Sequence, residues 1–152
     1  MEKLKGDLVE LAKQGKFQVI VHGCNCFCTM GAGIAKQIKK HFPEAFKADL
    51  ATQKGDSDKL GDLSSAECKV QDGKSLIVVN GYTQFHWKGS GRKVDYKALR
   101  QVFKKVKSNY SGQKIAYPAI GAGLAGGDWE KISLIIEEEL EGENHVFVEF
   151  QS

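Results

Sequence analysis

Apolar residues recur along this chain with two different periods, and the switches between them divide it into strand-like and helix-like segments. Phe17-Gln18-Val19-Ile20-Val21 is an apolar, β-branched run of the length of a buried strand. Gly31 to His41 then carries Ile34, Ala35 and Ile38 at helical spacing, and Pro43 stops that helix and starts another at Pro43-Glu44-Ala45-Phe46. Tyr96 to Tyr110 turns Leu99, Phe103 and Val106 inward, and Trp129 to Leu140 does the same with Trp129, Ile132, Ile135, Ile136 and Leu140. Glu2–Lys5, Lys114–Pro118 and His145–Phe150 read as further strands, and Asp7 sits where a helix cap belongs before Leu8, Val9, Leu11 and Ala12. Ala66–Val70 and Leu76–Asn80 are strands joined across Asp72-Gly73, a strong hairpin signal. Lys54 to Ser65 and Phe85 to Lys93 lack periodicity and read as loops.

Strands alternating with helices, with one hairpin between, predict an α/β fold: a mixed, mostly parallel sheet with helices on both faces. Residues 1–152 read as one domain, long enough to bury a core. The net charge of +3 permits an anionic ligand without demanding nucleic acid, and the lysines of Lys104, Lys105 and Lys107 read as a solvated helix face. No apolar run approaches membrane-spanning length, and the first residues lack the apolar core of a signal peptide, so a cytoplasmic, monomeric protein is expected.

Two segments carry the candidate chemistry. Pro118 to Trp129 places four glycines within seven positions, between a strand and a helix. Asn25 to Gly33 is a second strand–loop–helix junction of that kind. Glycines there cost backbone entropy and bring backbone amides close to a ligand, most often a phosphate. Both loops leave the carboxyl ends of strands, where open α/β sheets bind ligands. Neither is a Walker loop, since Gly-Lys-Ser/Thr is absent, and neither fits a dinucleotide fingerprint. Cys24, Cys26 and Cys28 alternate, but no second cysteine pair completes a zinc pattern, so reduced thiols and no metal are expected.

Lys5-Gly6-Asp7-Leu8, Ile20-Val21-His22-Gly23-Cys24-Asn25, Met30-Gly31-Ala32-Gly33-Ile34-Ala35 and Tyr117-Pro118-Ala119-Ile120-Gly121-Ala122-Gly123-Leu124 together resemble the macrodomain family. The resemblance implies a three-layer α/β/α fold that binds ADP-ribose or its 1″-phosphate, acyl or protein-linked derivatives. It is nearest a branch containing an ADP-ribose-1″-phosphate phosphatase and a terminal ADP-ribose protein glycohydrolase. It implies that Asp7 accepts from the adenine amino group, with the Leu8 amide beside the ring and Phe150 against it. Asn25 would bond the distal ribose. Gly31, Ala32, Gly33 and Ile34 would wrap that ribose and the first phosphate. Ile120, Gly121, Ala122, Gly123 and Leu124 would hold the diphosphate, and Asn80 and Gln84 would orient the distal ribose.

The catalytic group stays open at this point. Relatives with a lysine and an aspartate at the distal ribose are matched here by Thr83 or Gln84 and by Ala125, which argues against a lysine adduct. Asp128 is either a general base or the cap of the helix starting at Trp129. His22 is either an acid–base group or a buried, hydrogen-bonded histidine. His86, Trp87, Lys88 and Arg92 form either a lid or a solvated loop. A hydrolase acting at the distal ribose, needing no cofactor, is the leading reading, and a non-catalytic ADP-ribose reader is the alternative.

Overall fold

A computed structural model of the protein describes residues 1–89 and 91–152. Six strands form one sheet: β1 (Glu2–Gly6), β2 (Val19–Cys24), β3 (Leu63–Lys69), β4 (Ser75–Tyr82), β5 (Ile115–Tyr117) and β6 (His145–Phe150). Their spatial order is β1-β6-β5-β2-β4-β3, and every pairing is parallel except β3 with β4. The antiparallel pair follows from Asp72-Gly73, where both residues adopt positive φ (61° and 71°) and turn the chain back on itself.

Side chains alternate across each strand, so the sheet buries two faces. Val19, Val21, Val79, Ile115, Tyr117 and Phe147 pack against helices α4 (Tyr96–Tyr110) and α5 (Trp129–Glu139). Ile20, Leu76, Val78, Ala116, Val146 and Val148 pack against α1 (Leu8–Lys13), α2 (Gly33–His41) and α3 (Pro43–Leu50). The result is the expected three-layer α/β/α sandwich. Two boundaries move in a way that matters for the site. β2 starts at Val19, because Phe17 packs as a buried residue ahead of the strand, and it runs on through His22-Gly23 to Cys24. β4 likewise extends to Tyr82, since pairing with both β2 and β3 holds backbone that local propensity alone would release. Leu63 to Ser65, read as loop, joins β3 for the same reason. Among the described residues no helix is long and apolar enough to cross a membrane.

Candidate active site

Because β1, β6, β5, β2 and β4 are parallel, their carboxyl ends lie on one edge of the sheet in that order. The segments leaving them are Asp7, Phe150, the Pro118 loop, the Asn25 loop and Thr83-Gln84. Four inter-strand steps of about 4.8 Å make an edge roughly 19 Å long, enough for a nucleoside diphosphate carrying a second sugar. A cleft of about 660 Å³ opens over the β5, β2 and β4 part of this edge, between the two glycine loops.

The Asn25 loop is held by its own side chain. Asn25 Nδ2 donates to Thr29 Oγ1 (2.7 Å), and Asn25 Oδ1 accepts from the Phe27 amide (2.7 Å). That bracing supports Cys28 and Met30 in left-handed backbone (φ 58° and 43°), which non-glycine residues seldom adopt. Asn25 still lines the cleft, with one amide hydrogen and one lone pair not used by those two bonds.

The glycines of the two loops separate into those the fold requires and those it does not. At Gly121 (φ 75°) a Cβ would lie 2.7 Å from Val94 Cγ2, and at Gly127 one would lie 2.5 Å from Val94 Cγ1 and 2.7 Å from the Gly121 carbonyl oxygen. Those two serve tight packing. Gly31 and Gly123 have ordinary φ, and a Cβ on either would meet nothing within 4 Å, yet both line the cleft. Their lack of a side chain keeps cleft volume open and amides accessible. Across the cleft mouth Leu124 Cδ1 comes 3.4 Å from where a Gly33 Cβ would sit, so the two loops nearly meet.

The segment after β4 forms the remaining wall. Gln84 bridges Val94, and the Ala125 carbonyl accepts from the Lys93 (2.6 Å) and Val94 (3.3 Å) amides, which fixes the neck of this loop to the second glycine loop. Lys93 Nζ, 3.3 Å from the Leu124 carbonyl, puts a cation beside the amides of that loop. At the other end Trp87 lines the cleft, with His86 stacked on it (4.3 Å between centroids, 15° between planes) and Phe27 edge-on (5.7 Å).

Comparison with known proteins agrees with this architecture. The macro domain family model matches residues 21–136. The chain belongs to the macrodomain family. An uncharacterized 17.5 kDa protein from the tk-vs intergenic region of Enterobacteria phage T4 is 40% identical over 141 residues, covering 88% of this chain and 86% of that protein. The ADP-ribose glycohydrolase OARD1 of Bos taurus is 30% identical over 141 residues (91% and 82% covered). The DNA ADP-ribosyl glycohydrolase of Mycobacterium tuberculosis is 29% identical over 116 residues, and this chain spans only 32% of its length. The structure of Thermosipho africanus DarTG in complex with ADP-ribose superposes with a TM-score of 0.73 at 20% identity, covering 99% of this chain and 42% of that one.

Within this macrodomain cleft fall ten of the residues expected from sequence: Asn25, Gly31, Ala32, Gly33, Ile34, Gln84, Ile120, Gly121, Gly123 and Leu124. Ala122 does not line it; its methyl packs against the α4–α5 core. Asp7, Leu8 and Phe150 lie outside its walls, at the β1–β6 end of the same edge. There Gly6 pairs with Phe150, bringing an exposed aromatic ring and the Asp7 carboxylate to neighbouring strand ends. Leu8 is buried among the α1–α3 core residues, and Asp7 caps α1 by accepting from the Glu10 amide (3.1 Å).

The two sequence candidates for acid–base work are placed elsewhere. Asp128 is not in the cleft wall: its carboxylate caps α5, accepting from the Glu130 amide (3.0 Å), and its own amide donates to Tyr96 Oη (3.0 Å). His22 is wholly buried on the α1–α3 face, where the two-residue period of β2 puts it between Ile20 and the cleft residue Cys24, whose Sγ lies 3.6 Å from the His22 Nε2, but it does not itself line the cleft. Its Nε2 donates to Asn80 Oδ1 (2.7 Å), and Asn80 spends both amide hydrogens on the Ala45 carbonyl (2.9 Å) and Ser64 Oγ (3.0 Å). Asn80, likewise wholly buried, does not line the cleft.

Burial lowers the His22 imidazole to about 4 from 6.5, against the opposing pull of Asn80. Between those values the unfolded chain holds a proton that the folded chain does not, so this contribution is complete above the unfolded value and is lost as pH falls. We expect stability to fall by about 3 kcal/mol between pH 6.5 and 4 from this group. Urea melts at both ends of that range should show it, and His22→Gln should remove most of the slope; an unchanged slope in that variant would place the titration elsewhere.

Sequence reasoning left Trp87 between lid and solvated loop, and missed Thr83 and Lys93 as cleft walls and above all Asp49. Asp49 is buried at the end of α3, lines the cleft, and accepts from Tyr82 Oη at 2.7 Å. One signal was available: a carboxylate in the last turn of a helix opposes the helix dipole and needs another reason to be there. Burial raises its pKa, countered by Tyr82 and by the Lys59 ammonium. Cys24 also lines the cleft, but burial pushes its thiol far above the usual range, leaving it protonated and a poor nucleophile at neutral pH.

Proposed function

We propose that this macrodomain is a hydrolase that binds ADP-ribose derivatives along the strand edge and removes a phosphate, acyl or protein group from the distal ribose. Adenine lies at the Asp7 and Phe150 end, the diphosphate between Gly31–Ile34 and Gly121–Leu124 with Lys93 beside it, and the distal ribose against Asn25 and Gln84. The observation that carries the reading is the pair Gly31 and Gly123. They are glycines on opposite loops, both facing the cleft, and neither is required by backbone conformation or by packing. Glycines retained at a cost to chain entropy, where only a ligand would feel a side chain, fit a diphosphate approached closely by backbone amides. Hydrolysis is favoured over binding alone by relatives whose names record ADP-ribose glycohydrolase activity.

A reader without turnover is the second reading, supported by Ala125 and by Thr83 or Gln84 at the positions where relatives in the resembling branch place their aspartate and lysine. Incubation with ADP-ribose-1″-phosphate and with ADP-ribosylated protein, alongside calorimetry with ADP-ribose, separates the two. Release of phosphate or of ADP-ribose is the expected result. Binding with neither release would leave the reader, and absence of binding would remove both.

A further inference from the structure

We propose that Asp49 is the catalytic acid–base group of this cleft, oriented by a buried chain of hydrogen bonds that runs from His22 through Asn80, Ser64 and Tyr82. The inference rests on the hydrolase reading above and names the residue that performs it. Among the described residues that line the cleft, Asp49 is the carboxylate. Its Oδ1 is taken by Tyr82 Oη. The residue is almost wholly buried yet contributes to the cleft wall, and no side chain or amide among the described residues hydrogen-bonds its Oδ2.

The polarity of the chain is set from its far end. Asn80 uses both amide hydrogens as donors, so its Oδ1 must accept, and His22 supplies the proton from Nε2. Ser64 Oγ accepts from Asn80 and is left to donate to Tyr82 Oη (2.8 Å). Tyr82, having accepted, donates to Asp49. Each link thus donates to the next, and Tyr82 Oη at the end of the chain presents its proton to Oδ1 of an ionised Asp49. An amide cannot pass a proton along, so the chain orients and does not relay. Around the carboxylate stand Tyr82 from β4, Cys24 from β2, Cys28 from the Asn25 loop and Lys59 from the turn before β3. The Lys59 ammonium donates to the Cys26 carbonyl (3.1 Å) and lies 4.6 Å from the Tyr82 ring centroid. The same chain gives His22 and Asn80 a positioning role that neither could have as a cleft residue.

For a group X on the anomeric carbon C1″, the water oxygen forms the new C1″–O bond and its proton passes to Asp49 Oδ2. The C1″–X bond breaks with its electron pair going to X, and the protonated Asp49 returns the proton to X. Water is consumed, nothing is oxidised or reduced, and the carboxylate is regenerated.

Asp49→Asn keeps shape and can still accept from Tyr82. It should lower kcat on ADP-ribose-1″-phosphate or ADP-ribosylated protein by about 100-fold or more, while leaving ADP-ribose affinity within about threefold. Tyr82→Phe removes one donor to the carboxylate and should move the acid limb of the kcat–pH profile upward, a readout that a purely structural tyrosine would not shift. A folded Asp49→Asn that retains turnover overturns the assignment while leaving the hydrolase reading intact. If Asp49→Asn fails to fold, the Tyr82→Phe profile decides, and an unmoved acid limb overturns the assignment. A parent protein that binds ADP-ribose but releases nothing from either substrate refutes the hydrolase reading and this assignment together.

Discussion

Valine in place of Gly31 or of Gly123 is expected to weaken ADP-ribose binding on the order of 100-fold or more, equivalent to at least about 2.7 kcal/mol. The fold should hardly notice. A Cβ at either position meets no protein atom within 4 Å and neither residue has a positive φ. Substitutions at sites that touch nothing usually change stability by less than about 0.5 kcal/mol, and loss of a glycine also removes freedom from the unfolded chain. The melting temperature should therefore stay within about 2 °C of the parent. The cost falls on the complex, because the isopropyl group takes space that the diphosphate and its hydrogen-bonding amides need. Calorimetry with ADP-ribose and a thermal melt on each variant check both halves. Parent-like affinity in both variants would mean that the diphosphate does not pass between these loops.

Valine at Gly127 should do the reverse and act on stability first. Its Cβ would fall 2.5 Å from Val94 Cγ1, 2.7 Å from the Gly121 carbonyl oxygen and 2.9 Å from Ile132 Cδ1. A side-chain neighbour can turn away, but the carbonyl is backbone, and the Gly127 amide already donates to it at 2.6 Å. Relief requires the whole 121–127 turn to open. Overpacking of this kind costs about 3 kcal/mol, which for a chain of this size lowers the melting temperature by roughly 10 °C. Adding Val94→Ala should recover only a minor share, since the carbonyl contact remains. A double variant that melts like the parent would show that the side chain of Val94, not the turn, was the obstacle. Binding is lost in the single variant as a consequence, which distinguishes it from the Gly31 and Gly123 variants, where binding falls at full stability.

Much of the fold was legible because the periodicity is undiluted. The helices at Tyr96–Tyr110 and near Trp129–Leu140 carry apolar stripes that can only face a sheet, and Asp72-Gly73 admits little besides a tight hairpin. Strand ends were less legible. Ser64 and Ser65 have no strand propensity worth noting, and they extend because Asn80 and Val79 pair with them across β3–β4. The glycine loops were legible as a pair. Their sequence did not divide glycines that serve packing from glycines that serve a ligand, since that depends on what stands within 3 Å of a missing Cβ.

The candidate acid–base groups show the limit most clearly. Asp128 and His22 stand next to recognisable motifs, and nearness along the chain made them candidates. In space His22 shares a strand face with the cleft residue Cys24 but is wholly buried and not itself a cleft wall, its ring bonding Asn80 instead. Asp49 stands next to nothing distinctive in the sequence and reaches the cleft only because α3 packs over β3 and β4 and brings Tyr82 beneath it.

By itself, then, the sequence determined the layers, the mostly parallel character of the sheet and the two loops at its carboxyl edge, because periodicity and glycine placement are local properties written into neighbouring residues. The tertiary structure alone decided which polar groups share the cleft. Charge, burial and hydrogen-bond geometry at Asp49, Tyr82, Ser64, Asn80 and His22 depend on contacts between residues 16 to 58 positions apart, which no local pattern encodes.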